Sequence, residues 1–186
     1  MEATYAAATS DTGVDSSTGS AISNDLQTDG AQDMTLDFGF WRPSVSVGNY
    51  VWFDVNHDGI QDATDLPIEG VTLTITKTGD PDATVYDIFG NEVSTTTTDA
   101  DGHYLFDNLP LGQYTVTITP PSGVSATLTG KGTTATDSST GFAVSADLQT
   151  DGAQDLTLDF GFWAPSVLVG NYVWFDTNHD GLQDAT

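Results

Sequence analysis

Val71-Thr72-Leu73-Thr74-Ile75-Thr76 and Tyr114-Thr115-Val116-Thr117-Ile118-Thr119 each alternate an apolar side chain with a hydroxyl over six residues. That period of two is the period of a strand with one buried face, and no helical period of 3.6 competes with it. β-branched residues fill both stretches, which suits a pleated, half-buried surface. The threonine rows are expected on the solvent face. Shorter stretches repeat the pattern: Tyr104 with Phe106, Leu156 with Leu158 and Phe160, and Tyr50 with Trp52 as a first strand. Between them stand turn sequences, DADG at 99–102, LPLG at 109–112, PPSG at 120–123 and TDGAQD at 150–155. About seven strands punctuated in this way predict an all-β fold, an antiparallel β-sandwich.

The chain repeats itself. Residues 15–64 return at 137–186, identical at 42 of 50 positions. Every aspartate of the first copy (Asp15, Asp25, Asp29, Asp33, Asp37, Asp54, Asp58, Asp62) has its counterpart in the second. This is the signature of tandem modules. The prolines of RPSVSVG (42–48) and APSVLVG (164–170) suit brief joints between them. We therefore expect the tail of a preceding copy at 1–45, a complete module at 46–164, and the first strand and acidic loop of a following copy at 165–186. Together the two partial copies lack a counterpart of 65–122. That favours a segment of a longer array over strand exchange between chains into a head-to-tail polymer.

Composition narrows the function. The 186 residues carry 27 acidic against 3 basic side chains, a formal charge of −24. No basic stripe exists to neutralise phosphates or an anionic membrane surface, so nucleic acid is not an expected partner. No apolar run reaches the roughly 18 residues of a spanning helix. Residues 1–10 lack a signal peptide's basic and apolar regions, so any export signal is expected elsewhere. Cysteine is absent, and disulfides cannot staple the fold. Of the acids, 24 are aspartate, and 29 threonines form the other excess. Aspartate in such excess points to turns and loop ligation, because its short side chain bonds local backbone and reaches a nearby cation. Halophilic solvation is the competing account, but a salt-adapted surface would be expected to use glutamate as well.

The sharpest motif is Asp54-Val-Asn56-His-Asp58-Gly59-Ile60-Gln-Asp62-Ala-Thr-Asp65. It follows the twelve-residue calcium loop, with oxygen side chains at positions 1, 3, 5, 9 and 12, glycine at 6 and a carbonyl ligand from Ile60. Four carboxylates so close repel one another unless a divalent cation sits among them. The loop departs from a helix–loop–helix hand in two ways: position 12 is Asp, and Leu66-Pro67 leads into a strand. A solvated acidic turn is the plain alternative. A second copy supplies Asp176, Asn178, Asp180, the Leu182 carbonyl and Asp184, and the sequence stops one residue short of position 12. Two further acid groups are candidate calcium ligands: Asp99, Asp101 and Asp107 around DADG, and Asp137, Asp155 and Asp159 around the last strand. Either group also reads as ordinary turn chemistry.

Catalysis is not expected. His57 and His179 fall at loop position 4, which faces solvent, and His103 follows a turn; no nucleophile–base–acid set emerges. No pair among the aspartates is singled out for glycoside hydrolysis. Trp41, Trp52, Trp163 and Trp174 read first as core or joint packing and second as a sugar-stacking platform.

With these residues in hand, a resemblance is plain. GNYVWFDVNHDGIQD (48–62), IEGVTLTI (68–75), TDADGHYLFDNLPLGQYTVTITPPSG (98–123) and LTLDFGFW (156–163) resemble the B-type repeats of serine–aspartate-repeat surface adhesins. The central stretch also resembles the broader collagen-adhesin B-type group. The resemblance implies an immunoglobulin-like Greek-key sandwich on the cell surface that binds Ca2+ and acts as a stalk or filament segment beside neighbouring repeats. An adhesive module gripping a glycan or matrix protein is the alternative. The Lys–Asn crosslink of some collagen-adhesin modules is not expected: Lys77 and Lys131 are the only lysines, the first strand has none, and the last strand has no Asn.

Overall fold

The computed structural model describes residues 2–3, 19–166, 169–170, 173 and 175–182. Its strands in chain order are β1 (Glu2–Ala3), β2 (Phe40–Trp41), β3 (Val45–Phe53), β4 (Leu66–Pro67), β5 (Thr72–Lys77), β6 (Thr95–Thr97), β7 (His103–Leu109), β8 (Tyr114–Ile118), β9 (Ser125–Ala126), β10 (Phe142–Val144), β11 (Gln154–Asp155) and β12 (Phe160–Trp163). Asp15, Trp174 and Asp184 lie outside the described residues.

Two sheets face each other. One orders β10-β8-β5-β6, wholly antiparallel, with Thr74 opposite Thr117 and Thr95, and Thr76 opposite Thr115. Its inner face is Leu73, Ile75, Tyr114, Val116 and Ile118, all buried, so the alternation of the opening stretches sorts its faces as expected. The second sheet is organised on β3. Along one edge β3 pairs antiparallel with β7 and then β4, and along the other it pairs parallel with β11 and then β12. Val45, Val47 and Val51 join Phe106, Leu109, Leu158, Phe160 and Phe162 in the shared core. The fold is an all-β sandwich, antiparallel except where the first strand meets the last two.

Those parallel pairings position everything that follows. β3 and β12 run the same way, with Phe160 beside Val51 and Phe162 beside Phe53. The chain therefore enters at Val45 near one end of the sandwich and leaves at Trp163 near the other. The loop 54–65 begins where β3 ends and stands at the exit.

The first strand and the last differ in detail from expectation. Tyr50 and Trp52 do lie on β3, but the residues that β3 sends into the core are the valines, and Trp52 packs on the opposite side. It is nevertheless 0 % exposed. A Cβ on Gly161 would lie 2.7 Å from the Trp52 ring and 2.7 Å from the Thr127 methyl. Glycine there is what lets the indole lie flat on the strand. Gly161→Ala should cost about 1–3 kcal/mol through overpacking, measured by urea denaturation, with Trp52 emission shifting to the red. In the last segment Leu158 and Phe160 are buried while Leu156, which lies between β11 and β12, is exposed.

The described part of the preceding copy keeps a trace of the same architecture. β1 pairs with β2 as Glu2 to Trp41 and Ala3 to Phe40. That is the pairing of Ser125 with Trp163 and Ala126 with Phe162, allowing one residue more in the earlier copy.

Candidate metal centre

The loop is built from its own side chains. Asp54, 1 % exposed at the end of β3, accepts from the Gly59 amide at 2.9 Å, from the Asp58 amide at 3.3 Å and from the Thr127 hydroxyl. Asn56 accepts from the Asp58 amide at 3.1 Å, and Asp58 from the Ile60 amide at 2.8 Å. Each is an Asx turn, in which a short side chain replaces a backbone acceptor. Gly59 holds φ +78°, and a Cβ there would strike the Leu128 carbonyl at 2.6 Å, so position 6 requires glycine twice over. Asp65 closes the loop by accepting from the Val55 amide at 3.1 Å and the Asp62 amide at 3.0 Å.

The second copy repeats this turn with far less of a module described around it. Gly181 donates to Asp176 at 2.9 Å, Asp180 to Asn178 at 3.2 Å and Leu182 to Asp180 at 2.8 Å. His57 and His179 hold φ 58° and 60°. Three side-chain-to-amide bonds of the turn therefore recur in both copies.

Electrostatics follow the packing. Burial raises the Asp65 carboxyl above its ordinary value, with Asp62 and Asp54 adding to the rise and the two amides opposing it. The Thr64 hydroxyl holds Asp62 low. Tyr50 is raised by burial and then by Asp65 and Asp101, which places the DADG turn and the end of the acidic loop beside the same ring.

Asp159 is the unexpected member. It is 0 % exposed, and neither carboxylate oxygen has a hydrogen-bond partner of normal geometry. Burial pushes its pKa up to about 7; the nearby Asn49 side chain and Tyr50 amide pull it down, and Asp155 pushes it further up. Asp155 itself accepts from the Ala146 amide and from the amide and hydroxyl of Thr157. Asp33 bonds Asn24 and Thr35 identically in the preceding copy.

The other candidates scatter. Asp99 caps its own turn, accepting from the Asp101 and His103 amides. Asp107 lies four residues along β7 from His103, about 13 Å at strand rise, and does not join that turn. Asp137 sits by the loop and not by Asp155: it bridges Ile60, and Gln61 donates to the Thr136 carbonyl. Among the described residues no three His, Asp or Glu side chains are gathered closely enough, as they stand, to hold a metal ion. The donor set is nonetheless all oxygen, the chemistry a hard cation takes, and Asp159 is a buried carboxylate lacking a counter-charge.

Of the tryptophans, Trp52 is sealed and offers no platform to a sugar. Trp163 is half-buried under His57, their rings stacked at 3.8 Å and 18°.

Fold and site together define a β-sandwich repeat with an acidic loop between its first two strands. The chain belongs to the SdrD B-like domain family, whose model matches residues 45–162. It is 43% identical over 155 residues to serine-aspartate repeat-containing protein F of Staphylococcus epidermidis, covering 83% of this chain and 8% of that protein. It is 39% identical over 166 residues to serine-aspartate repeat-containing protein D of Staphylococcus aureus strain Newman, covering 89% of this chain and 12% of that protein. The chain thus spans about a tenth of the length of these relatives. Among solved structures, GBS52, the minor pilin of Streptococcus agalactiae, aligns at 12% identity with a TM-score of 0.44, covering 70% of this chain and 48% of that one.

Proposed function

We propose that residues 46–164 are a calcium-stiffened spacer repeat of an extracellular, cell-surface protein, and that the role is structural rather than catalytic. The observation that carries it is the parallel pairing of β3 with β12, which puts entrance and exit at opposite ends. Modules joined that way string out end to end and do not fold back, and a short proline joint limits their swing. Membership in the SdrD B-like family and its serine-aspartate repeat relatives support the surface location.

Asp54, Asn56, Asp58, the Ile60 carbonyl, Asp62 and Asp65 would hold the cation, with Asp137 at the loop's margin. Asp159 with Asp155 is a second candidate pair. The calcium supplies positive charge to a chain that otherwise repels itself. A dissociation constant of about 10⁻⁵ M, the weak end of the range of calcium-sensor loops, would place millimolar calcium a hundredfold above it. Neighbouring repeats of the same chain are the immediate partners.

Small-angle scattering on tandem copies of the 122-residue period tests the reading. With calcium the maximum dimension should grow by a constant step per module, about 35 Å for a compact domain of this size. In chelator the growth should flatten as joints and loops loosen. A compact particle in both conditions, or saturable binding of a glycan or matrix protein that survives loop mutation, would favour an adhesive module.

A further inference from the structure

We infer that the stack of His57 on Trp163 couples the acidic loop to the inter-module joint, so that a divalent cation in the loop stiffens the exit of the module. The inference rests on the calcium reading above and adds to it a route from the site to the joint.

The loop and the last strand are tied at one point already, since Asp54 donates its amide to the Phe162 carbonyl at 2.6 Å. His57 makes a second tie of a different kind. Its backbone sits in the left-handed region, which non-glycine residues seldom adopt and which histidine, asparagine and aspartate adopt more readily than the rest. It is kept there by the amides of Asp58 and Gly59 bonding back to Asp54. Position 4 of such a loop ordinarily points to water. Here the left-handed turn lays the imidazole flat on the indole of Trp163, with centroids 3.8 Å apart.

Trp163 is the last residue of β12, and Ala164-Pro165 follows it. The residue before proline is held extended, and proline fixes its own φ, so the freedom left at the exit lies largely at Trp163 and its neighbours. A ring clamped on that side chain removes part of it. The clamp lasts only while the loop keeps its turn. A cation that holds Asp54, Asn56 and Asp58 together holds His57 in place, whereas an empty loop of mutually repelling carboxylates lets it go. The parts recur in the repeat: Trp41 and His179 occupy the corresponding positions, and His179 adopts the same left-handed backbone.

The test reads two quantities on the full chain, in chelator and in millimolar calcium: the melting temperature, and amide hydrogen exchange at Ala164 and Ser166. The variants are His57→Asn, which tolerates the left-handed backbone but has no ring face, and His57→Phe, which restores a ring. In the wild type, calcium should raise Tm and slow exchange at the joint by roughly two- to tenfold, the range an aromatic stack supplies. His57→Asn should keep the rise in Tm and lose the slowing, and His57→Phe should recover it. Slowing that persists in His57→Asn, or is absent from the wild type while Tm rises, overturns the coupling. Loss of the Tm rise in His57→Asn also overturns it, because His57 would then serve the loop alone. If calcium leaves the wild-type Tm unchanged, the calcium reading fails and takes the coupling with it.

Discussion

Millimolar calcium should raise the melting temperature of the chain by about 10 °C over its value in chelator, and Asp54→Ala/Asp58→Ala should remove most of that rise. A ligand that binds only the native state at a hundred times its dissociation constant adds about 2.7 kcal/mol. A domain of this size gains about 4 °C for each kcal/mol. The double variant also has a cost unrelated to calcium. Asp54 is buried and is the acceptor for the Gly59 amide and the Thr127 hydroxyl, which its loss would leave stranded at about 1–3 kcal/mol. The variant's melting temperature in chelator should therefore drop as well, and the informative quantity is the calcium-dependent difference. A difference as large in the variant as in the wild type would move the principal site away from the loop. Stabilisation by molar potassium chloride equal to that by millimolar calcium would make the aspartates a solvation device.

The legible parts of this molecule are those whose cause is local. Alternation at 71–76 and 114–119 sorts Leu73, Ile75, Val116 and Ile118 inward and the threonines outward, since a strand's faces follow from its own sequence. The turn at the first seven loop positions is largely local too, since three side-chain-to-amide bonds are shared by 54–60 and 176–182. What escapes the sequence depends on segments crossing at long range. Trp52 and Asp159 are buried because the stretch around Thr127 and Ser138-Ser139 passes over the end strands. There Ser139 donates to the Asp159 carbonyl, and Gly161 donates to the Ser138 hydroxyl. The same crossing carries Asp137 to Ile60 and away from Asp155. One signal was available: a glycine between two aromatics at 160–162 marks a close approach, and Trp52 is what approaches.

Asp159→Asn should stabilise the calcium-free protein at neutral pH and flatten its pH dependence. With its native pKa up at about 7 against an ordinary 3.8, the folded state holds a proton that the unfolded state has already released. Stability from this group is full below pH 4, falls as pH rises, and is lost above 7. At 1.36 kcal/mol per unit the loss is on the order of 4 kcal/mol. Asp65 is raised in the same direction and leaves a smaller slope in the variant. Asp33, Asp62 and Asp87 are held low, so they titrate below this window. Urea denaturation between pH 4 and 8 in chelator measures the effect: the wild type should weaken across the range, and the variant should stay nearly level and be the more stable at pH 7.5. Adding calcium sharpens the result. If Asp159 and Asp155 hold a cation, the order reverses, because the buried carboxylate then has its counter-charge and the neutral amide of the variant gives the cation none in return. An unchanged order with calcium present would leave Asp159 as a buried acid with no ligand role. A wild type already more stable than the variant in chelator at pH 7.5 would mean that Asp159 is charged and satisfied without any cation.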